Sequence, residues 1–356
     1  MKTQFLISAA LLCSLGLNAE NTPFVSKIHE FVPAPGQFIN ELPEVPADAD
    51  YEEVLQLVAE QICGDERPGM ISLGNFGGYI VFSFDHPVIN VPGEYDFKIY
   101  GNAIISDRQN KGGSSEPGIV MVSIDTNGNG IPDDEWYELA GSDYGLPSTV
   151  KHYSVTYYKP DENKVPVPDP LDKHVIDSQY IRWTSNQSNE AEGYVTKNTS
   201  HSQSYWPSWM KDESYTLTGT KLANNYINVG TTQEPYFILQ FLDWGYVDNQ
   251  PNAEDPGFNL DWAVDSEGKS VKLEKADFIR VHTALNQTCG RLGESSTEIC
   301  GARDLHPDAS TSIATVGSDS ERDLRYYDLQ GHLTRNPQKG GLYIRVTDKG
   351  GSIIRF

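Results

Sequence analysis

A chain of 356 residues with 11% aromatic, 38% hydrophobic and 22% charged residues is too aromatic for a disordered polymer and too polar for a membrane bundle. Its formal charge of −23 repels phosphate and anionic lipid surfaces, which excludes nonspecific nucleic-acid or membrane-surface binding.

Residues 1–19 have the pattern of a secretory signal peptide. Lys2 supplies a positive start, Phe5 to Leu17 an apolar stretch, and Leu17-Asn18-Ala19 a small residue before Glu20. Cleavage at Cys13 as a lipoprotein is the alternative. The apolar stretch is too short to span a bilayer, and no later segment approaches the ~20 residues required, so no membrane-spanning segment is expected.

Residues 20–49 carry five prolines and suggest an extended leader lying along a domain. Asp50 followed by Glu53 forms a capping pattern, and Val54, Leu55, Val58 and Ile62 share one helical face until Gly64 and Pro68. From Met70 the period becomes two. Strands are expected at 79–84, 95–100, 119–124, 153–158, 215–217, 236–241 and 278–283, separated by turn residues and without intervening helices. The fold class is therefore all-β: an antiparallel β-sandwich with long loops over residues 50–307, preceded by one short helix.

Between two of these strands, Asp125, Asn127, Asn129 and Asp133 alternate as oxygen donors, with Gly130 at the turn and the Ile131 carbonyl available. Hard oxygens in this spacing suit a structural Ca²⁺. Trp136 stands where an EF-hand would place its bidentate Glu, leaving Asp134, Glu135 or a distant acid to complete the shell. A plain Asn-Gly turn whose acids face water is the simpler reading.

Aromatic residues amid polar ones form a second constellation: Trp183, then His201, Gln203, Tyr205, Trp206 and Trp209, then Tyr246 beside Asp248 and Asn249. Such faces can stack on a sugar ring or a planar cofactor. Large aromatics are more often core, and Trp183, Trp244 and Trp262 are expected to pack inside. The Pro207-bearing segment 205–209 is expected to lie on a loop.

After removal of the leader three cysteines remain, and Cys289 and Cys300 enclose a ten-residue Gly/Ser loop that a disulfide could close, worth ~3 kcal/mol if unstrained. Residues 308–323 read as a linker and 324–356 as a small C-terminal β unit. Histidines are dispersed without zinc spacing, and no nucleophile elbow, P-loop or dinucleotide fingerprint occurs.

Two resemblances follow from particular residues. The run Tyr327-Asp328-Leu329-Gln330-Gly331, then Gly340-Gly341-Leu342-Tyr343-Ile344 and the terminal Ile353-Ile354-Arg355-Phe356 resembles the C-terminal sorting domain of type IX secretion cargo in Bacteroidetes. Its end lacks the usual lysine-bearing tail; a terminal sheet completing the main domain is the alternative. The segments Gly77 to Phe82, Asp96 to Ala103, Ser115 to Ser123 and Glu135 to Ser142 resemble a Bacteroidetes cell-surface family, and their order is similar to galactose-binding-like, discoidin-type jelly rolls.

The resemblance implies a secreted or outer-membrane-surface protein of a Gram-negative bacterium, among uptake proteins including those for vitamin B12. It implies capture of a glycan or a corrinoid, with an outer-membrane uptake receptor as a partner. The expected function is non-enzymatic ligand binding. The alternatives are an extracellular polymer hydrolase, using an acid pair from the 180–265 loops, or a structural, adhesive surface protein.

Overall fold

The computed structural model describes residues 21–309, apart from residue 233, together with the strands Arg325–Tyr327, Leu333–Thr334, Leu342–Thr347 and Gly350–Arg355. The expected signal peptide and most of the expected linker lie outside the described residues. The chain divides into two compact units, Met1–Ser310 and Thr311–Phe356.

Among the described residues of the first unit one α-helix accompanies a mainly antiparallel β architecture. The helix Tyr51–Ile62 begins where the Asp50 side chain accepts the Glu53 backbone N–H at 2.9 Å, and it buries Val54, Val58 and Ile62. These residues pack on a six-stranded sheet ordered Lys27–Val32, Tyr79–Ser83, Phe278–Thr283, Gly118–Ser123, Trp136–Leu139 and Ala263–Val264. Side chains alternate across that sheet. Ile80, Phe82, Val120, Val122, Ile279 and Val281 join the helix in the main core.

The opposite face carries Tyr79, Arg280 and His282 toward a four-stranded sheet ordered Glu192–Asn198, Val175–Ser185, Val150–Tyr158 and Ser214–Lys221. Phe76 joins the two sheets. Its ring meets Tyr153 edge-on at 4.8 Å and His282 at 6.3 Å, and its carbonyl accepts the Tyr157 hydroxyl at 3.0 Å. Gly219 permits this approach, since a Cβ there would collide with the His282 imidazole. Two packed antiparallel sheets make this an all-β, sandwich-like domain.

A third sheet joins Tyr226–Asn228, Phe237–Gln240, Gly112–Gly113 and Ile105–Asp107, and three short pairs complete the unit: Ile71–Ser72 with Glu298–Ile299, Phe97–Tyr100 with Gly301–Asp304, and Val88–Ile89 with Lys275–Ala276. The segment expected as a leader is part of the fold. Lys27–Val32 is the edge strand of the main sheet, and Val25, Ile28, Phe31, Ala34 and Ile39 are buried. Apolar residues at 25, 28 and 31 outweigh the prolines, which fall beyond the strand.

The second unit contains a four-stranded antiparallel sheet ordered Leu333–Thr334, Arg325–Tyr327, Leu342–Thr347 and Gly350–Arg355. Among the described residues no helix is long and apolar enough to cross a membrane.

Candidate functional site

The expected disulfide is not formed: Cys63, Cys289 and Cys300 are free thiols. Cys289 opens a single turn in which its N–H donates to the Gly293 carbonyl at 2.8 Å. The chain then returns beside 283–288 and continues to Cys300, whose N–H donates to the Tyr100 carbonyl at 2.7 Å and whose thiol donates to that of Gly101 at 3.5 Å. Six residues of returning chain, at ~3.3 Å each, exceed the ~4.4–6.8 Å between Cα atoms that a bridge allows. Burial pushes Cys289 up to about 12 and Cys300 to about 11, which keeps both thiols protonated.

The aromatic residues expected to face a ligand are mostly core. Tyr205, Trp206, Trp183 and Tyr246 are buried, the first three in the cluster around Phe76 and Tyr153. Trp209 is half-buried against Phe31. The loop is held inside because Asn40 satisfies its backbone: the amide donates to the Ser204 and Trp206 carbonyls at 2.7 and 2.9 Å and accepts the Ser208 N–H at 2.9 Å. Gln203 donates to the Gln37 carbonyl. Trp244, a core candidate by type, is 44% exposed.

The loop from Asp125 to Glu135 lies on the surface. The Asp125 carboxylate accepts backbone N–H groups from Gly128, Asn129 and Gly130 at 2.7, 3.1 and 2.9 Å, and these hold its pKa below the ordinary value. The amides of Asn127 and Asn129 both reach Asp133, at 3.2 and 3.1 Å, while Thr126 donates to Asp134 and Tyr137 to Glu135. Ile131 is exposed, and its N–H donates to the Asn129 side chain. Asp125, Asn127, Asn129 and Asp133 thus converge, while Asp134 and Glu135 are engaged by Thr126 and Tyr137.

A different group of side chains lines a cavity that combines acids with aromatic walls. It encloses about 370 Å³, with Glu116, Glu298 and Ser296 on one side, Gln37, Ser114 and Ser200 around it, and Phe38, His201, Tyr236 and Phe237 among its apolar and aromatic walls. His201 meets the Phe38 ring edge-on at 4.6 Å, so this one expected ligand residue does face a cavity. Tyr236, 48% exposed, stands at the rim.

Three chain segments bring the acids together. The strand pair Ile71–Ser72 with Glu298–Ile299 places Glu298 opposite Ser72. The Glu298 carboxylate accepts the Ser72 hydroxyl at 3.1 Å and the Asn102 amide at 3.3 Å. Asp248, in the left-handed region with φ of 55°, accepts the N–H groups of Asn102, Ala103 and Glu298 at 2.7, 2.9 and 3.0 Å. Glu116 accepts the Ser296 N–H at 2.9 Å.

One carboxylate oxygen from each of Glu116, Asp248 and Glu298 lies within 4.8 Å of the others. Glu294, two residues before Ser296, is buried and accepts the Gln37 N–H at 2.6 Å. Among the described residues none of the salt bridges reaches any of these four acids.

Burial raises the pKa values of all four acids, and repulsion from neighbouring carboxylates adds to it for Glu116, Asp248 and Glu298. Burial acts first in each case, pushing Glu298 and Glu294 up to about 7, while Glu116 and Asp248 are raised by burial and then by the Glu298 charge. The upward shifts favour the protonated form of these carboxyls, and a carboxyl that keeps its proton can donate as well as accept a hydrogen bond. Of these residues, Glu116 falls in the Ser115–Ser123 resemblance and Asp248 beside the aromatic constellation. Glu294, Ser296 and Glu298 sit in the loop expected merely to close a disulfide, where two acids flanking two serines were the available signal.

The chain matches no family model and no curated protein.

Proposed function

We propose that this chain is a surface-displayed, non-enzymatic capture protein that binds a saccharide in the cavity beside Glu116 and Glu298. The observation that carries this reading is the pairing of Glu116, Glu298 and Ser296 with Phe38, Tyr236 and Phe237 in one cavity of about 370 Å³. Sugar hydroxyls need both donors and acceptors, and the C–H face of a pyranose packs on aromatic rings. The reading places the protein outside the cell, on a sandwich of galactose-binding-like, jelly-roll kind, supplying ligand to an outer-membrane receptor. A corrinoid is the other ligand class to test.

The test is thermal unfolding with a panel of saccharides and with cobalamin. At a hundredfold excess over Kd a ligand of the native state adds about 2.7 kcal/mol, a rise of roughly 5 °C or more. A rise with a saccharide is the expected result. A rise with cobalamin alone would transfer the cavity to the corrinoid, and no rise with any ligand would overturn capture.

A second reading, hydrolysis, is favoured by one observation: Glu298 and Glu294 at about 7 could hold the proton of a general acid. An acid pair working across a glycosidic bond stands ~5–10 Å apart on opposite sides of a cleft. Glu116, Asp248 and Glu298 instead lie together within 4.8 Å. Release of new reducing ends from any polymer of the panel would select hydrolysis over capture.

We also propose that the surface loop binds Ca²⁺. Asp125, Asn127, Asn129 and Asp133 would hold it, with the amides turned oxygen-first, and the ion would supply structural cross-linking of the turn. Added Ca²⁺ is expected to raise the unfolding midpoint by several degrees, EDTA to reverse it, and the double variant Asp125→Ala/Asp133→Ala to abolish the response. An unchanged midpoint in the wild type would leave the loop as a hydrogen-bonded turn.

A further inference from the structure

A second cavity, of about 560 Å³, lies on the far side of the main sheet and contains a lysine with unusual surroundings. Trp136, Glu138, Tyr144, Lys151, His152 and Arg280 are among its lining residues. The Lys151 amine is buried and has no hydrogen-bond partner among the described residues. Among the described residues its one acidic neighbour in salt-bridge range is Glu138, at 3.9 Å, and Glu138 also accepts the Thr220 hydroxyl at 2.6 Å. The ammonium position lies over the Tyr144 ring.

Backbone geometry at this point is also special. The pairing of Val150–Tyr158 with Ser214–Lys221 shifts register between Val150 and Tyr153, and His152 adopts φ of 52°, a left-handed conformation uncommon outside glycine. Bulges of this kind re-aim side chains and concentrate at functional sites. The carbonyl of His152 is fixed by the Asn186 amide at 2.8 Å.

We propose that Lys151 is a nucleophilic amine that condenses with an aldehyde held in this cavity, Glu138 serving as the proton donor. The amine lone pair attacks the carbonyl carbon, forming the C–N bond, and the nitrogen passes a proton to the new oxygen. The Glu138 carboxyl then protonates that hydroxyl, which leaves as water while the C=N bond forms. The products are a protonated imine, one water and the Glu138 carboxylate, which faces the new positive charge. Trp136 and Tyr144 offer flat walls for a planar aldehyde.

The electrostatics agree with this role. Burial lowers the Lys151 pKa to about 8 despite the Glu138 charge, so a usable fraction of the amine is neutral near pH 7. Burial raises the pKa of Glu138, which favours its proton-carrying form.

The experiment treats the full chain with pyridoxal and cyanoborohydride at pH 7 and maps the reduced adducts by peptide mass spectrometry over time. Lys151 is expected to be labelled about tenfold faster than the exposed Lys173, Lys211 and Lys269. Glu138→Gln is expected to slow Lys151 selectively, leaving the exposed lysines unchanged. Labelling of Lys151 at or below the rate of the exposed lysines in the wild type would overturn the proposal, and needs no variant to fold.

Discussion

Replacing Phe76 by alanine is expected to destabilise the first unit by about 3–5 kcal/mol, lowering the thermal midpoint by roughly 10 °C. Phe76 is fully buried and spans the space between the two sheets, touching Tyr153 and His282. Its removal leaves a void that neither sheet can close, because Gly219 and His282 are already in contact on one side and Tyr157 is tied to the residue 76 carbonyl on the other. Ile131→Ala is the control. That side chain is exposed, so its loss is expected to shift the midpoint by less than about 1 °C. A small effect of Phe76→Ala would mean that the sheets are not joined through this residue.

Glu298→Gln is expected to have an effect on stability that depends on pH. Glu298 titrates at about 7 in the folded chain against an ordinary value of 4.5, so the native state binds the extra proton between those values and stability falls as pH rises through them. Gln carries no charge at either end. Relative to the wild type, the variant should therefore gain about 2–3 kcal/mol between pH 5 and pH 8, roughly 5 °C in midpoint.

Two histidines act in the opposite sense. Burial depresses His29 to about 4 and His282 to about 3, so their stabilising contribution is present above the ordinary value of 6.5 and is lost as pH falls through that range. Both are common to wild type and variant and cancel in the difference. A difference independent of pH would show that Glu298 is not proton-bearing near neutrality.

Parts of this structure announce themselves in sequence for physical reasons. The helix was readable because Asp50 caps it and its buried residues repeat at helical spacing. The strands Tyr79–Ser83, Gly118–Ser123 and Phe278–Thr283 were readable as short apolar runs between turns. Val175–Ser185 was not, since Asp177, Gln179 and Arg182 interrupt its apolar positions, and Lys27–Val32 was hidden by the prolines that follow it.

The site was less legible than the fold. Residue type suggested that Tyr205 and Trp206 meet ligand, but a distant side chain, Asn40, supplies the hydrogen bonds that let their loop sink into the core. The acidic cluster draws Glu116, Asp248 and Glu298 from three segments far apart in sequence, the nearest two 50 residues apart, and no local pattern reports such a meeting. Cys289 and Cys300 are close in sequence, yet after the turn at Cys289 the chain runs back alongside 283–288 and carries Cys300 away from Cys289.

The central claim is that the acidic cavity captures a saccharide, and titration calorimetry of the wild type against Glu116→Ala tests it most directly, using the saccharide that raises the unfolding midpoint most. The expected result is saturable binding by the wild type, weakened at least about tenfold by the substitution, as loss of a charged hydrogen-bonding group facing a ligand produces. Equal affinity in the two proteins, or no binding by either, would contradict the assignment of this cavity as the ligand site.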